Sequence, residues 1–262
     1  MSWLGAFFAP RGKAKVEGAR LGQLSLGDGP VYAVGDLHGC HQAYLALEEA
    51  IFADSTALGQ PPQIVLLGDI IDRGSETAAL LDHLMLPPRR GTRHAIRGNH
   101  EEMMLAFLRD PKSNADWLAF GGFETLRSYG LALDMQDLRA MGQRRVIQTL
   151  MAYLPQEHLD YLERLPLGFA VTGDDTAWIL AHAGYDPAAG PAEQSREVLL
   201  WGGKAPVAGQ GPRLIHGHVI VERVDMDAAS IGIDTGAYKS GLLSAVRLAR
   251  GSAPQLLNVQ QP

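Results

Sequence analysis

The chain has a single cysteine, Cys40, among its 262 residues. That excludes an internal disulfide framework and any metal site built from several thiolates. Excess positive charge is also lacking: 23 Lys and Arg stand against 29 Asp and Glu, a formal net charge of -6. General nucleic-acid binding rests on basic residues neutralising phosphates, so no nucleic-acid partner is expected. A small phosphate compound held by local cations stays open. No apolar run reaches the length of a membrane span. The N-terminal MSWLGAFFAPRGKAK is apolar but short, its basic residues follow the apolar stretch, and no small-residue cleavage site comes after it. This argues against a signal peptide. The expectation for residues 1–28 is an arm packed weakly on the body, with a membrane-touching arm through Trp3, Phe7 and Phe8 as the alternative. No membrane partner and a cytoplasmic location are expected.

Hydrophobic residues make up 46% and charged residues 20%, enough to bury a core. Five segments share one pattern, an apolar strand-like run ending in a polar turn that contains glycine. They are PVYAVGDLHG (30–39), PQIVLLGDIIDRG (62–74), RHAIRGNHE (93–101), AWILAHAG (177–184) and RLIHGH (213–218). Val65, Leu66 and Leu67 read as buried on both faces, as in a sheet covered by helices. Helices are expected over 41–53, over 75–86 with Ser75 as N-cap, and over 101–109. The alternation implies an α/β architecture whose site lies beyond the carboxyl ends of the strands. Residues 113–166 have helical periodicity and read as an insertion walling that site. IGIDTGAYKSG and LLSAVRLA read as further strands, and 251–262 as a polar C-terminal tail. The motifs fall on both sides of the insertion, so 29–250 is taken as one catalytic domain.

The chemistry-bearing residues close these runs. Asp36 and His38, two apart at a strand end, suit a divalent metal; a capping Asp beside a surface His is the bland alternative. Asp69 could bridge two metals with its two oxygens. Asp72 and Arg73 follow, Arg offering a planar fork for phosphate oxygens or merely a surface ion pair. Asn99 offers a neutral oxygen ligand. His100 could act as general acid with Asp72 orienting it, or both Asn99 and His100 could be structural. His182 and His218 close the last two runs and are weak signals singly. His216 reads as structural or supporting, and Cys40 as a small buried residue packing the first helix. The joint pattern favours a metal centre over five coincidences.

At these residues the sequence resembles the calcineurin-like metallophosphoesterases, and within them the serine/threonine protein phosphatase family, in particular its small bacterial and phage members. The motifs are GDLHG (35–39), GDIIDRG (68–74), GNHE (98–101), HAG (182–184) and HGH (216–218), with WLAFGG (117–122), LLW (199–201) and IDTGA (233–237) matching the small members. The resemblance covers about residues 30 to 248. It implies a β-sandwich of two mixed sheets flanked by helices and two divalent metal ions, manganese first, with iron, zinc or others as alternatives. It makes Asp36 and His38 ligands of one metal, Asp69 the bridge, and Asn99, His182 and His218 ligands of the other. His100 with Asp72 becomes the catalytic pair, and Arg73 with Asn99 the phosphate grip. Small members carry Trp-x-Arg before the last motif; here Gly203 stands where that arginine is expected, in Trp201-Gly202-Gly203-Lys204. Lys204, Arg196 and Arg213 are the candidates to replace it.

The implied function is hydrolysis of phosphomonoesters by a hydroxide bridging two metals, with a phosphoserine or phosphothreonine protein as substrate and partner. The alternative substrate is diadenosine tetraphosphate or a related dinucleotide. An alternative of another class is a metal-binding module with weak turnover, for which the change at Gly203 is the support. A metal-dependent nuclease is disfavoured by the acidic balance.

Overall fold

Alternation of side chains decides the layering. In β2 (Val31–Val34), Val31 and Ala33 point into one core while Tyr32 and Val34 point into another. In β3 (Gln63–Leu66), Val65 joins the first core, and Ile64 and Leu66 join the second. Strands apolar on both faces can only sit in the middle of a layered stack. The computed structural model describes residues 21–261 apart from Gln210. Trp3, Phe7 and Phe8 lie outside the described residues.

Among the described residues, two mixed five-stranded sheets face each other. One has the order β1 (Gly22–Ser25), β5 (Gly168–Thr172), β6 (Trp178–Ala181), β7 (Arg213–His216), β8 (Ser230–Gly232). The other has the order β10 (Gln255–Gln260), β9 (Leu242–Leu248), β2, β3, β4 (Thr92–Ala95). Val31, Val65, Phe169, Leu180, Ile215 and Val246 fill the space between them. α1 (His41–Ala57), α2 (Thr77–Met85) and α3 (Asn99–Arg109) cover the outer face of the β2 sheet, and α8 (Arg196–Trp201) covers that of the β6 sheet. Within 113–166 a π-helical turn at Leu118–Gly122 leads into α4 (Phe123–Ser128), α5 (Met135–Ala140), α6 (Gln143–Tyr153) and α7 (Gln156–Arg164). Leu126, Val146, Leu150 and Leu162 of these helices join the α1–α3 core.

All five strand-like runs are strands. Four local expectations are corrected. Ser75 does not cap α2; the cap position is Glu76, without a side-chain cap bond. The start of α2 is set instead by a tertiary contact, Glu76 N–H donating to Gly39 O at 3.1 Å. Residues 22–25, placed in the arm, form β1 in parallel register with β5. The stretch IGIDTGAYKSG holds the short β8 and then a helical turn, α9 (Ala237–Ser240), flanked by Gly236 and Gly241 at φ 68° and 72°. The polar tail is a strand over 255–260: β10 pairs antiparallel with β9, and Leu257 and Val259 pack on the core. Its exposed polar face hid a period-2 pattern too short to be read from sequence.

Replacing both Leu257 and Val259 by Ser should lower the unfolding free energy by about 1–3 kcal/mol, measured in urea, because partly buried apolar area is lost. Unchanged stability would return 251–262 to the status of a tail.

Candidate metal centre

β2, β3 and β4 run parallel in one sheet, as do β6 and β7 in the other. Their carboxyl ends deliver the GDLHG, GDIIDRG, GNHE, HAG and HGH turns to one place. The backbone there is strained. Among the described residues, five non-glycines have positive φ: His38 (42°), Asp69 (46°), Asp72 (72°), Arg73 (67°) and His218 (68°). All five belong to the expected site. A left-handed non-glycine residue costs on the order of 1–2 kcal/mol, so such a cluster persists only under strong local restraint.

Glu101 provides much of that restraint. Fully buried at the start of α3, it accepts from the backbone N–H groups of Asp69 (3.0 Å), Ile70 (2.8 Å), Ile71 (3.2 Å) and Gly98 (2.7 Å). Burial and then the Asp69 charge push its carboxyl up to about 7, while the backbone donors pull it back. Two glycines are needed for close approach. A Cβ on Gly98 would lie 2.1 Å from Asp69 Oδ1, and one on Gly217 would lie 1.8 Å from Asp36 Oδ1.

Asp69 is the centre of the arrangement. Its Oδ2 lies 3.7 Å from His38 Nε2 and 3.8 Å from His100 Nε2, and its Oδ1 lies 3.4 Å from His182 Nε2. Asn99 Oδ1 is 2.8 Å from His182 Nε2 and 2.9 Å from His218 Nδ1. His38 Nδ1 and His182 Nδ1 each donate to a backbone carbonyl, Ile71 O and Leu67 O, both at 2.8 Å. That leaves the Nε2 lone pairs aimed inward, the tautomer a metal ligand requires. His38 Nε2 and Asp36 Oδ1 are buried without a hydrogen-bond partner. Burial pushes His38 down to about 3, and burial with the neighbouring His182 pushes His218 down to about 4, so both imidazoles are neutral. Burial raises the Asp36 carboxyl, reinforced by the Asp234 and Asp69 charges. For Asp69 burial acts the same way, but the neighbouring His182 and His100, with the His100 N–H donated to Oδ1, outweigh it and hold the carboxyl below the usual range. Converging lone pairs and uncompensated buried carboxylates are what divalent cations would satisfy. The chemistry of the donor set therefore fits the implied metals, with Asp36, His38 and Asp69 able to hold one and Asp69, Asn99, His182 and His218 the other.

His100 Nδ1 meets Asp72 Oδ2 at 2.7 Å. Asp72 is itself locked: Trp117 Nε1–H donates to Oδ2 (2.8 Å), Thr125 Oγ1–H donates to Oδ1 (2.7 Å), and Asp72 N–H donates to Thr125 Oγ1 (2.9 Å). Burial works against a charged His100, but Asp69 and Asp72 prevail and raise its pKa. Arg73 Nη2 lies 3.1 Å from His100 Nε2, and its guanidinium stacks 4.9 Å over the Tyr238 ring.

The candidate replacements for the arginine expected at Gly203 are engaged elsewhere. Lys204 Nζ pairs with Asp186, Arg196 pairs with Glu102, and Arg213 donates to Met226 O and Ala228 O while stacking over Trp178. His216 Nδ1 faces Gly217 O. Cys40 is buried beside His38 O, its thiol pushed up to about 11 by burial. Sequence reasoning assigned no role to Glu101, Trp117, Thr125 or Tyr238. GNHE and WLAFGG contain the first two, but a buried clamp has no local signature apart from its motif.

Glu101→Gln should destabilise the protein by about 2–4 kcal/mol in urea unfolding, since an amide leaves buried N–H groups unsatisfied. A change below about 0.5 kcal/mol, the scatter of ordinary surface substitutions, would remove its role as a clamp. Gly217→Ala should weaken metal binding, because its Cβ displaces Asp36; wild-type affinity would show that the loop yields without moving that carboxylate.

Comparison with known proteins agrees with this geometry. Over 230 residues the chain is 27% identical to serine/threonine-protein phosphatase 2 of Escherichia coli (strain K12), covering 83% of this chain and 92% of that protein. Over 258 residues it is 24% identical to an asymmetrical bis(5'-nucleosyl)-tetraphosphatase of Geobacillus thermodenitrificans, covering 87% and 92%. A solved structure provisionally described as a diadenosine tetraphosphatase superposes with a TM-score of 0.62 at 19% identity, covering 93% of this chain and 99% of that one. The family model described as calcineurin-like phosphoesterase matches residues 29–221. With the two mixed sheets and the Asp–His–Asn cluster at their strand ends, the chain belongs to the calcineurin-like phosphoesterases.

Proposed function

We propose that this metal-dependent phosphoesterase hydrolyses phosphomonoesters with two divalent cations, manganese foremost, and that its substrates are phosphoserine or phosphothreonine proteins. The observation that carries the two-cation reading is the Asp69 carboxylate, with one oxygen toward His38 and the other toward His182. Similarity to a bacterial serine/threonine-protein phosphatase supports the substrate class. The likeness to a bis(5'-nucleosyl)-tetraphosphatase keeps a dinucleoside polyphosphate as the second reading.

The positions of the side chains support the following roles. Cations held by these ligands would supply Lewis-acid charge for the phosphoryl oxygens and lower the pKa of a bound water. Arg73 offers its fork to the phosphoryl oxygens, and Asn99 its amide. His100 gives a proton from Nε2 to the leaving oxygen. Asp72 holds Nδ1–H and stabilises the imidazolium, while Trp117 and Thr125 fix the Asp72 carboxylate. Arg73 Nη2 lies against His100 Nε2, so a phosphate drawing Arg73 away also frees that nitrogen. With Gly203 in place of the expected arginine, Arg73 carries the grip, which favours a modest affinity for phosphate.

Metal-stripped protein should regain activity with manganese on a nitrophenyl phosphate and a phosphothreonine peptide. Preference for diadenosine tetraphosphate would instead support the second reading. Two bound metals with no turnover on any of the three would point to the binding module. His100→Asn should lower kcat by about 10²–10⁴ with metal content intact; an unchanged rate removes His100 from the chemistry. Asp69→Asn should weaken both metals, and retained two-metal stoichiometry would end its bridging role. Lys204→Ala should leave KM within about twofold, given its pairing with Asp186; a tenfold rise, about 1.4 kcal/mol, would place Lys204 on the phosphate.

A further inference from the structure

Among the described residues, two buried carboxylates each leave one oxygen without a hydrogen-bond partner: Asp36 Oδ1 and Asp234 Oδ2. The first belongs to the centre already described. Asp234 has no part in it so far, yet it is only 1% exposed. Its Oδ1 accepts from Gly236 N–H at 2.8 Å, which explains that oxygen as a turn cap. The turn leaves Oδ2 unexplained.

The surroundings place Asp234 at the metal centre. Ile233 N–H donates to His216 O and Val221 N–H donates to Asp234 O, both at 2.8 Å, so the segment lies along the HGH turn. A Cβ on Gly35, the residue before Asp36, would sit 2.5 Å from Ile233 O and 3.6 Å from Asp234 Cα. The Asp234 charge acts on Asp36, and Asp234 itself responds to Asp69, Arg73 and His182. The sequence carries the same signal as the five motifs: Ile231-Gly232-Ile233 is an apolar run closing in Asp234 and then Gly236. It extends β8, which lies parallel to β7, so its carboxyl end reaches the same rim. Two neighbouring buried carboxylates with unsatisfied oxygens are costly unless a cation stands with them.

We propose that Asp234 is a further residue of the metal centre, supplying a buried carboxylate to the half built by Asp36 and His38 and raising the affinity of that half for a divalent cation. The inference rests on the two-cation reading and concerns binding alone, without reference to substrate.

The test is calorimetric titration of manganese into metal-stripped wild type, Asp234→Asn and, for reference, His38→Ala. Asn keeps the shape and the Gly236 bond and removes only the charge. Wild type should take up two equivalents. In Asp234→Asn one of the two should bind about 10–100-fold more weakly, as for a lost supporting group, and the same equivalent should weaken in His38→Ala. Thermal melting supplies the second readout. Without metal, Asp234→Asn should melt at or above wild type, since a buried like charge is relieved. With manganese it should melt below wild type. Two equivalents of wild-type affinity in the variant, or a melting deficit of equal size with and without metal, would leave Asp234 as a turn cap only. Failure of wild type itself to bind two equivalents would overturn the two-cation reading instead.

Discussion

The Asp69 carboxylate can turn one oxygen toward His38 and the other toward His182 only because its backbone is held in a left-handed conformation. Four N–H groups delivered to Glu101 tie the turn to the first turn of α3, and the same contacts set Gly98 against Asp69. Without that clamp the strained residues would relax toward ordinary backbone angles, and the His38 and His182 sides of the cluster would lose their common carboxylate. The strain thus lies where the chemistry requires precise placement.

The layered architecture serves the same end. Two mixed sheets put parallel strands from each beside the other, so turns far apart in sequence meet at one rim. β2, β3 and β4 supply Asp36, His38, Asp69, Asp72, Arg73, Asn99 and His100. β6 and β7 supply His182 and His218. The helical segment between β4 and β5 packs on the α1–α3 core and sends Trp117 and Thr125 to Asp72. It therefore supports the orientation of His100.

Charge balance links the site to the rest of the molecule. Asp36, Asp69, Asp72, Glu101 and Asp234 are buried together, against neutral His38 and His218 and the partly buried Arg73. Asp72 and Glu101 are compensated by protein donors. Asp36 and Asp234 each meet a backbone N–H on one oxygen and no donor on the other, which concentrates the unmet demand for positive charge at one place. The overall net charge of -6 says nothing of this, because it counts surface and interior alike.

Much of the candidate centre was legible in sequence because the polar side chains gathered there close apolar runs, and runs such as VYAVGDLHG announce both the strand and the side chains at its end. The two-sheet arrangement came only through resemblance, since apolar runs reveal burial on both faces but not which strand lies beside which. Glu101, Trp117 and Thr125 escaped because their roles are long-range: each acts on a residue distant in the chain, and Glu101 acts through backbone groups that have no sequence identity. β1 and β10 escaped because edge strands of four and six residues with polar faces look like loops. The start of α2 was misplaced because a bond to Gly39 O, and not a local cap, sets it. The sequence by itself determined which polar side chains close the apolar runs, their order and the helical character of the insertion, all of which are local. Only the tertiary structure decided which lone pairs converge, which carboxylates lack partners and that Lys204, Arg196 and Arg213 are committed elsewhere, because those depend on distances between elements that the chain brings together only when folded.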